Sequence, residues 1–514
     1  MTRPPQARGK TEGASAEGQK TVRDSLIVTI GGQLERAIGT FTSLALHWGL
    51  DAARLGIYGD LRLYLDNTNR SSLGVSLGAV QEIPILRAAG REDEADRLGN
   101  IAYTTNTITC LAYALALCVW AWLRRPLLAG NPREAEWTWG LVIIAGLTLI
   151  KRYESFLIAV LRAHREFVLT TKLDILESSV SIVLVSLGLW LAGFWGLLGA
   201  VGLILLVKIA YLHLRHPLRF RWEWHTPTTV RLMKVGLPIL LNTSLFGAVL
   251  TFDRTIILWR IPDGETALGL YTIAIMGTSW SLDLAGRIVL VMYTAFQTTL
   301  GRTSDIAEVA RQAMRATEVQ APILAAGSAI AYVVGPTFLG TLIPRYAEGL
   351  PALRPLLPGV VLLGLAWPAR QMLITIERPY RLGLATLAGL AVIAAAATLG
   401  ADRAGIVGVA WGMSIGYAAV ALFTSAAAIV PHLGYRTWLR HLGHLGTTLV
   451  WFLSATLITA HLPLGGMNRW AELAIRCSIL ASWGLPTLWV WGSRNDWGGM
   501  GGWLARRRSA RPVT

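Results

Sequence analysis

Apolar stretches of about 20 residues follow one another from residue 25 to residue 492, and no other feature limits the fold of this chain so tightly. In hydrocarbon every backbone N–H and C=O must be satisfied internally, so only helices and closed barrels cross it, and runs of this length suit helices. The 514 residues are 53% hydrophobic and 15% charged. Their mean hydropathy is +0.48. The fold class this predicts is an all-α polytopic membrane protein with about fourteen transmembrane helices.

The pattern is written twice. Leu55-Gly56-Ile57-Tyr58 returns as Leu268-Gly269-Leu270-Tyr271, and Gly193-x-x-Gly196 returns at nearly the same offset as Gly405-x-x-Gly408. Duplicated bundles are the usual architecture of secondary transporters, whose substrates lie between two halves that rock against each other. The expected organisation begins with a disordered cytoplasmic tail (1–24), a first lobe of six helices (25–214) and a basic cytoplasmic linker (215–235). A second, pseudo-symmetric lobe of six (236–430), a C-terminal helix pair (431–492) and a basic cytoplasmic tail (493–514) complete it.

An even number of spans puts both termini on one side. Assigning that side to the cytoplasm leaves about 28 of the 47 Lys and Arg in cytoplasmic loops and tails and about 9 outside, Arg124, Arg125 and Arg133 among the latter. The net charge of +16 therefore reads as topology and attraction to anionic lipid, not as nucleic-acid binding. Trp122, Trp137, Trp259, Trp438 and Trp470 fall near predicted span ends, where indoles anchor helices at the interface.

A charge at mid-bilayer costs on the order of 2.5–3.5 kcal/mol on insertion scales, so it faces protein or a wet cavity. Span 1 carries Glu35 and Arg36. Span 2 (59–85) carries Arg62, Asp66 and Arg70, whose spacing puts all three on one helical face. Span 4 (137–161) carries Lys151, Arg152 and Glu154, span 7 (236–259) Asp253 and Arg254, span 8 (268–298) Asp283 and Arg287, and span 10 (352–376) Arg370. Local neutralisation, snorkelling from a helix that ends near residue 150, or a helix-end pair would each explain some of these. Together they point to a hydrated, net-positive cavity suited to an anionic headgroup, because guanidinium forks match phosphate and carboxylate.

The candidate substrate-binding residues are Arg36, Arg62, Arg70, Lys151, Arg152, Arg254 and Arg287. The candidate gating or ion-coupling residues are Glu35, Asp66, Asp253 and Asp283. Arg70 and Asp283 are separated by the same offset as the two L-G-x-Y motifs, which puts them at equivalent depths in the repeats, and they are expected to pair across the cavity in one state.

Catalytic machinery, a cofactor and a metal are not expected. Gly9-Lys10-Thr11 lacks the upstream glycine of a phosphate-binding loop. The acidic run Glu92, Asp93, Glu94 and Asp96 alternates with Arg91 and Arg97 and reads as a solvated, self-neutralised loop. Cys110, Cys118 and Cys477 sit in apolar segments as small apolar residues.

The chain resembles the polysaccharide and lipid-linked oligosaccharide flippases of the multidrug/oligosaccharidyl-lipid/polysaccharide (MOP) exporter superfamily. The likeness rests on the L-G-x-Y turn at Leu55–Tyr58 with its echo at Leu268–Tyr271, on Asp253-Arg254, and on the Gly-rich turns opening spans 6 and 12 (Gly193, Gly196, Gly199; Gly405, Gly408, Gly412). It covers roughly residues 25–430. The resemblance implies two six-helix lobes around a central cavity built largely from spans 1, 2, 7 and 8. It also implies outward transfer of an undecaprenyl-diphosphate-linked glycan by alternating access in a bacterial inner membrane. Implied partners are that glycan, membrane lipid and other glycan-assembly proteins such as a polymerase or chain-length regulator. Three other readings stand beside it: a peptidoglycan-precursor flippase, a drug/cation antiporter of the same fold, and a non-transporting structural partner of a glycan-assembly complex.

Overall fold

The computed structural model describes residues 34–35, 38–88, 90–125, 132–163, 167–215, 220–376, 378–462 and 468–494. Among them no strand occurs, and seven helical segments are long and apolar enough to cross a membrane. The expected N-terminal tail and nearly all of the C-terminal tail lie outside the described residues. The chain divides into two compact units, Met1–Leu241 and Asn242–Thr514.

The first unit holds α1 (38–49), α2 (Ala52–Asp66), a 3-10 turn (Asn67–Ser72), α3 (Val75–Ala88), α4 (Glu92–Leu123), α5 (Pro132–Ala163) and α6 (Phe167–Arg215). α7 (Thr226–Arg260) begins in it and continues into the second unit. The second unit adds α8 (Gly264–Thr303), α9 (Ile306–Leu342), a 3-10 segment (Pro344–Ala352), α10 (Leu353–Leu365), α11 (Trp367–Thr375) and α12 (Pro379–Leu433). The last two helices, α13 (Tyr435–Ala460) and α14 (Arg469–Arg494), both pack on α9.

α6 and α12 are the two longest helices, and each doubles back on itself. The break falls at Ala192 (φ −142°, ψ 19°) and Gly193 (φ 55°, ψ −128°) in α6. In α12 it falls at Ala404 (φ −144°, ψ 23°) and Gly405 (φ 54°, ψ −135°). The two breaks are separated by the same offset as the two helix starts and have matching backbone geometry. That φ is open to glycine and costly to residues with a Cβ. The returning arms then touch through glycine: a Cβ on Gly196 would overlap the Gly188 carbonyl, and one on Gly408 the Gly400 carbonyl. The repeat read from the glycine spacing is thus a repeat of structure.

The L-G-x-Y motifs are helix, not turn. Leu55–Tyr58 lies within α2, whose N-cap Asp51 accepts the Arg54 N–H at 2.8 Å, and Leu268–Tyr271 lies within α8.

Span 2 is not one helix. α2 ends at Asp66, and the Asn67–Ser72 turn is followed by left-handed Leu73 (φ 51°) and Gly74 (φ 84°) before α3 begins. Asn and Ser side chains compete for backbone hydrogen bonds here: Ser71 and Ser72 donate to the carbonyls of Thr68 and Asn69 at 2.7 and 2.9 Å. The break lets α7 approach closely, since a Cβ on Gly236 would overlap the Gly74 carbonyl. The single helical face drawn through Arg62, Asp66 and Arg70 therefore ends at Asp66.

α5 runs unbroken past residue 150 to Ala163, so Lys151 and Arg152 sit in mid-helix and do not snorkel from its end. Trp137, expected at an interface, is 3% accessible and donates its indole N–H to Asp60 at 2.6 Å. Trp122 and Trp259 are exposed, as anchors should be. Described linker residues 220–225 are held along α4: the N–H groups of Arg221 and Glu223 donate to Asn100 and Thr104, each at 2.9 Å.

Gly196→Val should cost about 1–3 kcal/mol through backbone overlap with Gly188 and cut the yield of monodisperse protein in detergent. Gly199→Ala, where a Cβ meets nothing within 4 Å, should leave yield and melting temperature unchanged. Size-exclusion profiles and thermal melts of the two variants check this.

Candidate functional site

Inside the first unit α1, α2, α5 and α6 enclose a cavity of about 490 Å³. Its charged lining is Glu35 near the start of the described chain, Arg62 and Asp66 from α2, Lys151 from α5, and Asp174 and Glu177 from α6. Hydroxyls of Thr42, Ser43, Tyr58, Ser178 and Ser181 complete the polar wall. Arg62 and Asp66 pair at 3.5 Å, one helical turn apart, with side chains 55% and 53% accessible to the cavity's water. A pair this wet contributes little to stability and remains available to a ligand.

Behind the lining lies a buried ion network. Lys208, 3% accessible, pairs with both Glu154, 1% accessible, and Glu177; Lys151 pairs with Glu154 at 3.0 Å. Each charge is matched inside protein, as burial demands. The reversal of α6 creates this arrangement: Glu177 and Lys208 stand at nearly equal distances before and after Gly193, opposite one another on the two arms. The equivalent positions in α12, related by the offset between the two breaks, are Gly389 and Val420, which pack directly together. Charge in the hairpin belongs to the first repeat and is no requirement of the fold.

The other arginines of this unit serve different ends. Arg152 is 4% accessible and outside the cavity lining. It donates to the Asn69 carbonyl at 3.3 Å, to Asn69 Oδ1 at 3.1 Å and to Asn106 Oδ1 at 2.6 Å, fastening α5 and α4 to the 3-10 turn. Arg70 is half-buried on that turn, within electrostatic reach of Tyr113, and is likewise absent from the lining. Arg36 lies outside the described residues. The net-positive expectation does not hold for this cavity: four carboxylates face two cations in its described lining, because Arg152 and Lys208 are spent on internal contacts.

In the second unit Asp253 is 3% accessible and accepts the Arg254 N–H at 2.8 Å. The hydroxyls of Tyr271 and Tyr417 lie within its electrostatic reach. Tyr58, the repeat partner of Tyr271, stands in the same relation to Arg62. In both units the tyrosine of L-G-x-Y therefore faces an intramembrane charge. Arg254 and Asp283 are half-buried; Arg287 lies on α8, its side chain outside the described residues. Arg370 stacks its guanidinium over Phe246 at 4.1 Å. Asp174, Glu177 and Lys208 were missed because they read as charges near span ends, and only their near-equal distance from Gly193 signals that two of them meet.

Lys208→Met would leave Glu154 with Lys151 alone and Glu177 without its buried cation and cost about 3–5 kcal/mol, whereas adding Glu154→Met should recover at least half of that loss. Thermal melts of the single and double variants in detergent check the ordering.

The polysaccharide biosynthesis protein family matches residues 87–342. Lipid II flippase MurJ in an inward closed conformation shares the fold with a TM-score of 0.66 at 12% identity, over 92% of this chain and 100% of that one. An inward-facing multidrug resistance MATE family transporter of the MOP superfamily does so at 0.61 and 16%, over 81% and 98%. An outward-facing MATE family transporter of the same superfamily gives 0.57 and 16%, over 83% and 95%. No curated protein matches the sequence. The chain thus carries a polysaccharide biosynthesis family match over residues 87–342 and shares its fold with transporters of the MOP superfamily.

Proposed function

We propose that this protein is a flippase that carries a lipid-linked, undecaprenyl-diphosphate-type oligosaccharide or polysaccharide unit from the cytoplasmic to the outer face of a bacterial inner membrane by alternating access. The observation that carries the reading is the family match over residues 87–342, which covers α4 to α9 in both repeats. A charged, hydroxyl-lined cavity in a bilayer-spanning unit supports it. In this reading the lipid tail stays in the bilayer while the polar headgroup enters the protein. Arg62 and Lys151, the cations of the first unit's cavity, hold its phosphates, and both termini face the cytoplasm.

Outward movement of an anion is favoured by an inside-negative potential, worth about 2.3 kcal/mol per charge per 100 mV. A coupling ion is therefore not required for the uphill step. The carboxylates Glu35, Asp66, Asp174 and Glu177 favour one nonetheless, since four of them share a small space with two cations and a proton or metal cation would offset their excess negative charge as the headgroup enters. The same observation favours the second reading, a cation-coupled drug antiporter, over a structural partner with no cargo. Asp253 and Asp283 are the corresponding candidates in the second unit.

Cells lacking the protein should lose surface glycan and accumulate lipid-linked glycan on the cytoplasmic face. Wild type should restore both pools, and Arg62→Ala should restore neither by more than a small fraction. Normal glycan in both pools together with new sensitivity to cationic drugs would move the assignment to the antiporter.

A further inference from the structure

The reversal of α12 at Gly405 brings its first and last turns to the same end of the second unit, where Leu382 packs with Ala428 and Ile429. Two guanidiniums and an imidazole gather there. Arg378 Nη1 and Arg381 Nε both donate to the Tyr380 hydroxyl at 3.3 Å, and both guanidiniums lie within electrostatic reach of the His432 ring. Like charges held this close are unfavourable without an anion between them.

No carboxylate among the described residues pairs with any of the three. Two acids on α9 and at its cap are engaged elsewhere, Asp305 with Arg311 at 3.3 Å and Glu318 with His441 at 3.2 Å, and Glu308 in the first turn of α9 pairs with none of the three. Arg381 Nη1 and His432 Nε2 are nevertheless buried and without a hydrogen-bond partner. Buried polar nitrogens are rarely left so, and a guanidinium and an imidazole nitrogen in that state beside a second guanidinium describe an unfilled anion site. The fold does not demand it: Leu169 occupies the position of Arg381 in the first repeat, where it packs on the Leu173–Leu212 cluster.

The surroundings say what kind of anion fits. Inward from the cations lies a wholly apolar cluster that includes Phe296, Met372 and Leu382. Along the outer face of α12 the exposed residues change within two turns from Tyr380 to Leu384 and Leu387, 66% and 52% accessible. A phosphate at the cations would thus be followed by an apolar shaft, which is the profile of an amphiphile at a membrane interface.

We propose that Arg378, Arg381 and His432 form a binding site for the phosphate of an anionic bilayer phospholipid, distinct from the carrier-lipid site of the transport cycle. Guanidinium and imidazole donors surround the phosphodiester oxygens, and the acyl chains lie along Leu384 and Leu387.

The test uses the full-length protein in detergent, titrated with phosphatidylglycerol, phosphatidylcholine or inorganic phosphate and followed by melting temperature and by native mass spectrometry of bound lipid. Phosphatidylglycerol alone should raise the melting temperature, and Arg381→Gln with His432→Gln should weaken its binding by about tenfold or more. Arg378→Gln, which alters an exposed side chain and keeps the helix start intact, should weaken it severalfold and supplies the same answer if the double variant folds poorly. Arg436→Gln, on the neighbouring helix, should change nothing. Equal phosphatidylglycerol binding by the wild type, Arg378→Gln and the double variant would overturn the site. An equal response to inorganic phosphate, or to phosphatidylcholine, would overturn its assignment to an anionic lipid.

Discussion

Close approach of two backbones at Gly188 and Gly196, and again at Gly400 and Gly408, lets helices of 49 and 55 residues each fold back within a bilayer-spanning unit. Without a Cβ at these positions the arms pack carbonyl against Cα, and the reversal needs only one residue with positive φ per hairpin. Small residues where membrane helices meet are the general solution, since lipid offers no hydrophobic drive to bring them together. Everything that distinguishes the two units is laid onto this shared frame. In α6 the arms are tied by Lys208 with Glu177 and Glu154; in α12 the same positions are Gly389 and Val420.

The ion network also explains how a cavity rich in carboxylates exists inside a hydrophobic unit. Lys208 and Lys151 neutralise Glu154, and Lys208 holds one oxygen of Glu177 while the rest of that side chain remains in the cavity. Charges in the wall are therefore compensated from behind, and those in front remain free to exchange partners. Arg152 plays a quieter part. By donating to the Asn69 carbonyl and side chain it adds a second donor to a turn whose carbonyls already accept from Ser71 and Ser72, and so clamps the break in span 2. An intramembrane arginine can thus belong to the architecture, not to the substrate, and its position in the sequence does not reveal which.

Much of the fold was legible from periodicity and glycine spacing. Long apolar runs predict helices because the bilayer excludes other backbone solutions, and the echo of Gly193 at Gly405 marks two reversals of matching geometry. The break of span 2 was hidden because Asp66–Ser72 is followed by an apolar run that reads as continuous helix, while the competing side-chain hydrogen bonds act only locally. Of the site, Glu35, Arg62, Asp66 and Lys151 were legible as charges deep in apolar segments, and all four line the cavity of the first unit. Asp174, Glu177 and Lys208 were not, since nothing in a linear reading separates a charge near a span end from one folded inward by a hairpin.

The sequence by itself determined the all-helical class, the duplication and the presence of charges where a bilayer penalises them. These are properties of composition and spacing, and hydrophobic transfer and backbone satisfaction act on them residue by residue. Only the tertiary structure decided which charges neutralise one another, which clamp a backbone and which face water. That division depends on distances between α2, α5 and the two arms of α6, and electrostatic energy follows distance and burial, not sequence separation.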